Sequence, residues 1–135
     1  MKNITRYVSD FVYEGQNENG DLVNIDMRGP DEKKGHSPTE LLLSAVSACA
    51  AVDIVLTLKK KRKIVKDFVV ETDGDRNEDH PRSFTRIHSK YILTSPDTKP
   101  EELMKITGLV LDKYCSVASS LNVKVDFSVE IRDTE

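Results

Sequence analysis

The stretch Ser37–Leu58 constrains this chain more than any other. Ser37 can cap the first free N–H groups of a helix, and Pro38 suits the first helical position, where its missing N–H is not needed. Glu40 completes an S-x-x-E capping box. Lys59, Lys60, Lys61, Arg62 and Lys63 follow, placing cations against the partial negative charge of the last carbonyls. Between these ends the residues are apolar or small on nearly every side, the pattern of a helix covered all round by protein. At about 1.5 Å per residue such a helix spans roughly 30 Å, the width of a small domain. Cys49 lies at its middle.

A chain of 135 residues with one such helix has room for a single core, so one domain over 1–135 is expected. Its 38% hydrophobic and 32% charged residues describe a globular protein with a modest core, one that a partner subunit would complete. A net charge of −3 gives no clustered cationic surface, so no nucleic-acid partner is expected. The run Lys59–Lys63 reads as a solvated helix end. The chain begins Met1-Lys2-Asn3-Ile4-Thr5-Arg6 without an apolar leader, which sets cytoplasmic location as the expectation. The central helix is long enough to cross a membrane, but Ser44, Ser47, Asp53 and Thr57 interrupt it, so no membrane partner is expected.

Around that helix, the order expected is ββ-α-ββ-α-β. Arg6–Glu14 and Leu22–Met27 read as a hairpin closed by Asn17-Glu18-Asn19-Gly20-Asp21. Met27–His36 is a polar loop leading into the helix. Ile64–Thr72 and Phe84–Leu93 read as strands separated by the loop Asp73–Pro81. In the second of these, Ile87, Tyr91 and Leu93 alternate with Arg86, His88 and Lys90, the one-face-wet pattern of an antiparallel sheet. Thr98-Lys99-Pro100-Glu101 opens a second helix with its own capping box, buried through Leu103, Met104, Ile106, Leu109 and Val110. After Tyr114, the run from Cys115 to Leu121 either continues that helix or starts a short one at Cys115. Val123 to Ile131 alternates without a break as the last strand. The class is α+β, with antiparallel sheet packed on helices.

Thiol chemistry is what the residues leave open. Cys49 and Cys115 belong to no C-x-x-C pair, and His36, His80 and His88 lack ligand spacing, so no metal and no cofactor is expected. A cysteine inside an apolar helix is normally inert unless a guanidinium favours its thiolate, and a helix N-terminus at Cys115 would do the same for the second sulfur. Arg28, in the loop before the helix, is best placed for that role; Arg6 and arginines across a dimer are alternatives. Glu40 points away from Cys49 and belongs to the cap. Asp53, one turn after Cys49, shares its face, and an ionised carboxylate there needs a polar pocket, a buried arginine or a subunit contact. Because that carboxylate would raise the thiol's pKa, a cation has to accompany it.

The segments Gly35-His36-Ser37-Pro38-Thr39-Glu40-Leu41 before Cys49, and Tyr114-Cys115-Ser116-Val117 before the last strand, together resemble the OsmC/Ohr family, on its OsmC-like branch. The resemblance covers essentially the whole chain. It implies an intertwined homodimer in which sheets wrap two long central helices, with sites at the interface. It implies a thiol peroxidase of organic hydroperoxides: Cys49 becomes a sulfenic acid, Cys115 resolves it as a disulfide, and an external dithiol reductant reopens the bond. An arginine, here Arg28, would hold the first thiolate, with Asp53, Thr39 and Glu40 as pocket residues. The chain departs from the hydroperoxide-reducing branch at Thr39, where that branch has a Glu, and at Ser116, where it has a proline. The alternative function is a non-catalytic dimeric module that binds a small apolar or electrophilic ligand at the same pocket.

Overall fold

The structure, a computed structural model, describes residues 1–133. Its strands and helices run β1 (Ile4–Ser9), β2 (Val12–Gln16), β3 (Leu22–Asp26), α1 (Pro38–Lys60), β4 (Asp67–Arg76), β5 (Phe84–Thr94), α2 (Pro100–Leu109), α3 (Ser116–Ser119) and β6 (Val125–Arg132), with one π-turn, Val110–Tyr114, after α2. The α+β class holds, with two three-stranded sheets and the long helix between them in the chain. Contacts divide the chain into two compact units, Met1–Leu42 and the remainder from Leu43.

In the first unit, β1, β2 and β3 form an antiparallel meander. The expected two-stranded hairpin is thus a three-stranded sheet, because the first strand is broken at Asp10-Phe11. Phe11 takes φ 67°, a left-handed conformation that reverses the chain and that a continuous strand does not admit. The second turn is the one the sequence signals: Gly20 has φ 91°, and the Asn17 side-chain oxygen accepts the N–H groups of Asn19 at 3.0 Å and Asp21 at 2.9 Å. The unit ends in the cap of α1. Ser37 N–H and Oγ–H both donate to Glu40 Oε1 at 2.9 Å, Glu40 N–H returns to Ser37 Oγ at 3.3 Å, and Lys33 pairs with the same carboxylate.

In the second unit, β4 and β5 pair antiparallel, whereas β6 lies parallel to β5, from Ile87 opposite Val125 to Thr94 opposite Arg132. The sheet is therefore mixed rather than antiparallel throughout. The α2–α3 segment carries the chain back across the sheet before β6 begins, which is the connection a parallel pair requires. Strand β4 also extends to Arg76, so Asp73–Arg76 belongs to sheet and not to the expected loop. Arg86 ties this extension down by pairing with Asp73 and Asp75.

The core lies between α1 and this sheet. Val46, Ala50, Ile54 and Leu58, one residue per turn of α1, are fully buried, together with Ile87, Tyr91, Leu93 and Leu103. In α2 the buried stripe is Leu103, Ile106 and Thr107, continued by Val110. Met104 and Leu109, expected inside, are each 45% exposed because they fall off that stripe. The cap of α2 also shifts by one residue: Lys99 N–H donates to Glu102 Oε1 at 3.2 Å, and Thr98 is instead bonded to Ser95.

Candidate functional site

The helix α2 does not end in an ordinary turn. Its last residues widen into the π-turn Val110–Tyr114, closed by Cys115 N–H donating to Val110 O at 2.9 Å. A π-turn re-aims the side chain that follows it. Cys115 leaves the turn in an extended conformation and becomes the N-cap of α3, as the second of the two sequence readings had it. It is 2% exposed and sits in one cluster with Ala50, Ile54, Tyr91, Leu103, Ile106 and Val110.

Half-buried Cys49 packs against that cluster from α1, and both thiols are free. The fold thus brings together two cysteines that are far apart in the chain. Burial pushes the Cys115 thiol up from its ordinary range, and its neighbour Cys49 adds to that, while the backbone N–H groups of Ala118 and Val117 act in the opposite direction. At neutral pH Cys115 is a thiol.

Arg28 lies in the first unit. Asp26, at the end of β3, is fully buried and takes the arginine fork: Arg28 Nε donates to its two oxygens at 3.0 and 3.2 Å, and Nη2 to Oδ2 at 2.7 Å. Asp26 also accepts the backbone N–H of Arg28 at 3.0 Å and of Lys34 at 2.9 Å. The Arg28 guanidinium, then the Lys34 N–H, holds this carboxyl well below the usual range despite burial, and Asp26 in turn raises the arginine. Asp26 N–H donates to His36 O at 3.0 Å as well, so one residue closes the loop Met27–His36.

Of the other residues singled out in the sequence, Glu40 is the capping residue, and the half-buried Thr39 hydroxyl meets Ser37 Oγ at 3.4 Å. Asp53 is half-buried; its carboxylate has no ion-pair or hydrogen-bond partner among the described residues, and its carbonyl accepts Thr57 Oγ1–H at 2.7 Å. Asp26 was missed. Asp26 reads in sequence as one more polar position of an alternating strand, although Asp-x-Arg at a strand end is a spacing at which a carboxylate can grip a guanidinium. No group of three or more His, Cys, Asp or Glu suited to a metal exists among the described residues.

Two free, adjacent thiols, one from a long core helix and one at the start of a short helix after a π-turn, define an α+β two-cysteine protein. The family model described as OsmC-like protein matches residues 29–130, so the chain belongs to the OsmC-like family. It is 33% identical over 128 residues to Protein YhfA of Escherichia coli K12, covering 95% of this chain and 94% of that one. The crystal structure of a hypothetical protein from Aquifex aeolicus superposes with a TM-score of 0.86 at 28% identity, covering 99% of this chain and 97% of the other. The organic hydroperoxide resistance protein OhrB of Bacillus subtilis shares the fold at a TM-score of 0.63 and 17% identity, covering 97% of this chain and 96% of that one.

Proposed function

We propose that this protein is a thiol-dependent peroxidase that reduces organic hydroperoxides. The observation that carries the reading is the adjacency of the free thiols of Cys49 and Cys115. Membership of a family whose fold is shared by an organic hydroperoxide resistance protein supports it. In this reading the Cys49 thiolate attacks the outer oxygen of the hydroperoxide; the O–O bond breaks, the alkoxide takes a proton and leaves as an alcohol, and Cys49 is oxidised to a sulfenic acid. Cys115 then attacks that sulfur. The S–S bond forms, the S–O bond breaks, and the thiol proton of Cys115 leaves with the hydroxide as water. An external dithiol reduces the disulfide by exchange.

Arg28, expected from the sequence to hold a thiolate, has its guanidinium fork on Asp26. Asp26 holds Nε and Nη2 and fixes the plane of the guanidinium, leaving Nη1 without a partner among the described residues. The working unit is a homodimer in the cytoplasm. Ala45, Ala48, Val52 and Leu56 form a second apolar stripe on α1, opposite the buried one and exposed in the single chain, with Val52 at 58% and Leu56 at 52%. A second copy is the surface that stripe suits. Half-buried Asp53 would find its partner there.

The competing reading is a non-catalytic dimeric module that binds a small apolar or electrophilic ligand in the same pocket. The commitment of Arg28 to Asp26 is the observation that favours it. Consumption of cumene hydroperoxide with excess dithiothreitol separates the two. The peroxidase reading expects turnover far above that of free thiol, abolished by Cys49→Ser. The binding module expects consumption no faster than by free thiol.

A further inference from the structure

One face of the second sheet carries a constellation that the thiol chemistry does not use. Side chains two apart on a strand share a face, so Arg86, His88 and Lys90 of β5 stand in a row beside Asp126, Ser128 and Glu130 of β6. The parallel register sets His88 opposite Asp126 and Lys90 opposite Ser128. His88 bridges two residues of β6: its Nδ1 meets Asp126 Oδ1, and its Nε2 lies 3.0 Å from Ser128 Oγ. The His88 side chain is 24% exposed and that of Asp126 51%, so solvent and small molecules reach the row.

The proton roles follow from the donors and acceptors. A carboxylate only accepts, so Asp126 fixes the hydrogen of the neutral imidazole on Nδ1. Nε2 keeps its lone pair, and Ser128 Oγ–H donates to it. A hydroxyl held by a basic nitrogen that a carboxylate in turn orients is the arrangement of an activated nucleophile. The plain structural alternative is a cross-strand charge ladder, and the rest of this face shows what such a ladder looks like. Arg86 pairs with Asp73 at 3.3 Å and Asp75 at 3.7 Å, and Lys90 Nζ pairs with Glu130 Oε1 at 3.0 Å. Those are direct pairs of a cation with a carboxylate. His88 differs in passing its carboxylate contact on to a hydroxyl. Asp73, the β4 residue opposite His88, is taken by Arg86.

From this chain of contacts, the geometry points to Ser128 as a nucleophile that takes an acyl group from an activated ester, with His88 as its general base and Asp126 as the residue that orients the base. Ser128 Oγ attacks the carbonyl carbon while its proton passes to His88 Nε2. The bond to the leaving oxygen then breaks, and that oxygen takes the proton from His88, leaving acyl-Ser128 and a free alcohol or phenol. Water, deprotonated by the same nitrogen, attacks the acyl ester, releases the carboxylic acid and restores the Ser128 hydroxyl. Lys90, opposite Ser128, supplies positive charge for the carbonyl oxygen as it becomes negative. An open sheet face suits small substrates with good leaving groups, so aryl esters are the class expected. Neither cysteine takes part, and the inference stands apart from the peroxidase reading.

Labelling with an alkyl fluorophosphonate tests it, because Ser128 Oγ displaces fluoride from phosphorus only as a base takes its proton. Peptide mapping by mass spectrometry is expected to place the label on Ser128, and Ser128→Ala to remove it. General-base assistance amounts to about a hundredfold or more, so His88→Gln is expected to slow labelling by at least that factor, with the circular dichroism of the parent retained. Asp126→Asn is expected to slow it as well. In a Cys49→Ala, Cys115→Ala background, p-nitrophenyl acetate is expected to give steady release of p-nitrophenolate that Ser128→Ala abolishes. An unlabelled Ser128 in the unsubstituted protein overturns the inference whatever the variants do. A His88→Gln labelling rate within about twofold of the parent overturns it too, as does ester hydrolysis that survives Ser128→Ala.

Discussion

Asp26 and Cys115 are both buried ionisable groups, and their surroundings settle them in opposite states. Asp26 remains a carboxylate because the Arg28 fork and two backbone N–H groups replace its water. Cys115 remains a thiol because burial and the neighbouring Cys49 outweigh two N–H groups. The Asp26 state has a consequence for stability against pH. A carboxyl depressed in the folded protein contributes stability that is present above its unfolded pKa of about 3.9 and is lost as pH falls through the folded value. The melting temperature is therefore expected to drop between pH 6 and pH 3 more steeply for the unsubstituted protein than for Asp26→Asn; parallel curves would contradict that assignment. These states were only partly legible. The run after Tyr114 leaves open whether the second helix continues or a short one starts at Cys115, and the structure takes the second course. The grip on Asp26 depends on the loop returning Lys34 to it, which is not written in local sequence.

At the scale of elements, α1 carries most of what the sequence reveals. Its capping box, length and basic end are all where the residues place them, from Ser37 to the lysines of the last turn. Its apolarity on every side resolves into two stripes, one buried on the sheet and one exposed in the single chain. If the exposed stripe packs on a second copy, Val52→Glu combined with Leu56→Glu puts two charges per chain into a symmetric interface, so each change counts twice. Removing the burial of side chains of this size costs about 1.5–3 kcal/mol each, and dimer dissociation is expected to rise by a thousandfold or more. Light scattering should show a monomer at micromolar concentration, with helix content retained. A persisting dimer would move the interface elsewhere. Less of the other elements was legible. A left-handed Phe11 splitting a strand and a π-turn ahead of Cys115 have no dependable local signal, and parallel pairing of β6 follows from the path of α2–α3 rather than from the strand's own alternation.

For the molecule as a whole, family and fold class were readable because they rest on long features: a capped apolar helix, two cysteine motifs and an alternating last strand. The chemistry rests on something shorter, the adjacency of two thiols from α1 and the N-cap of α3, and it is tested most directly by one measurement. The reduced protein is treated with one equivalent of cumene hydroperoxide under denaturant-free conditions, then its free thiols are counted and its peptides mapped by mass spectrometry. Loss of both thiols and an intrachain Cys49–Cys115 disulfide are expected, with Cys115→Ser halting at an oxidised Cys49. Two free thiols per chain after that treatment would contradict it.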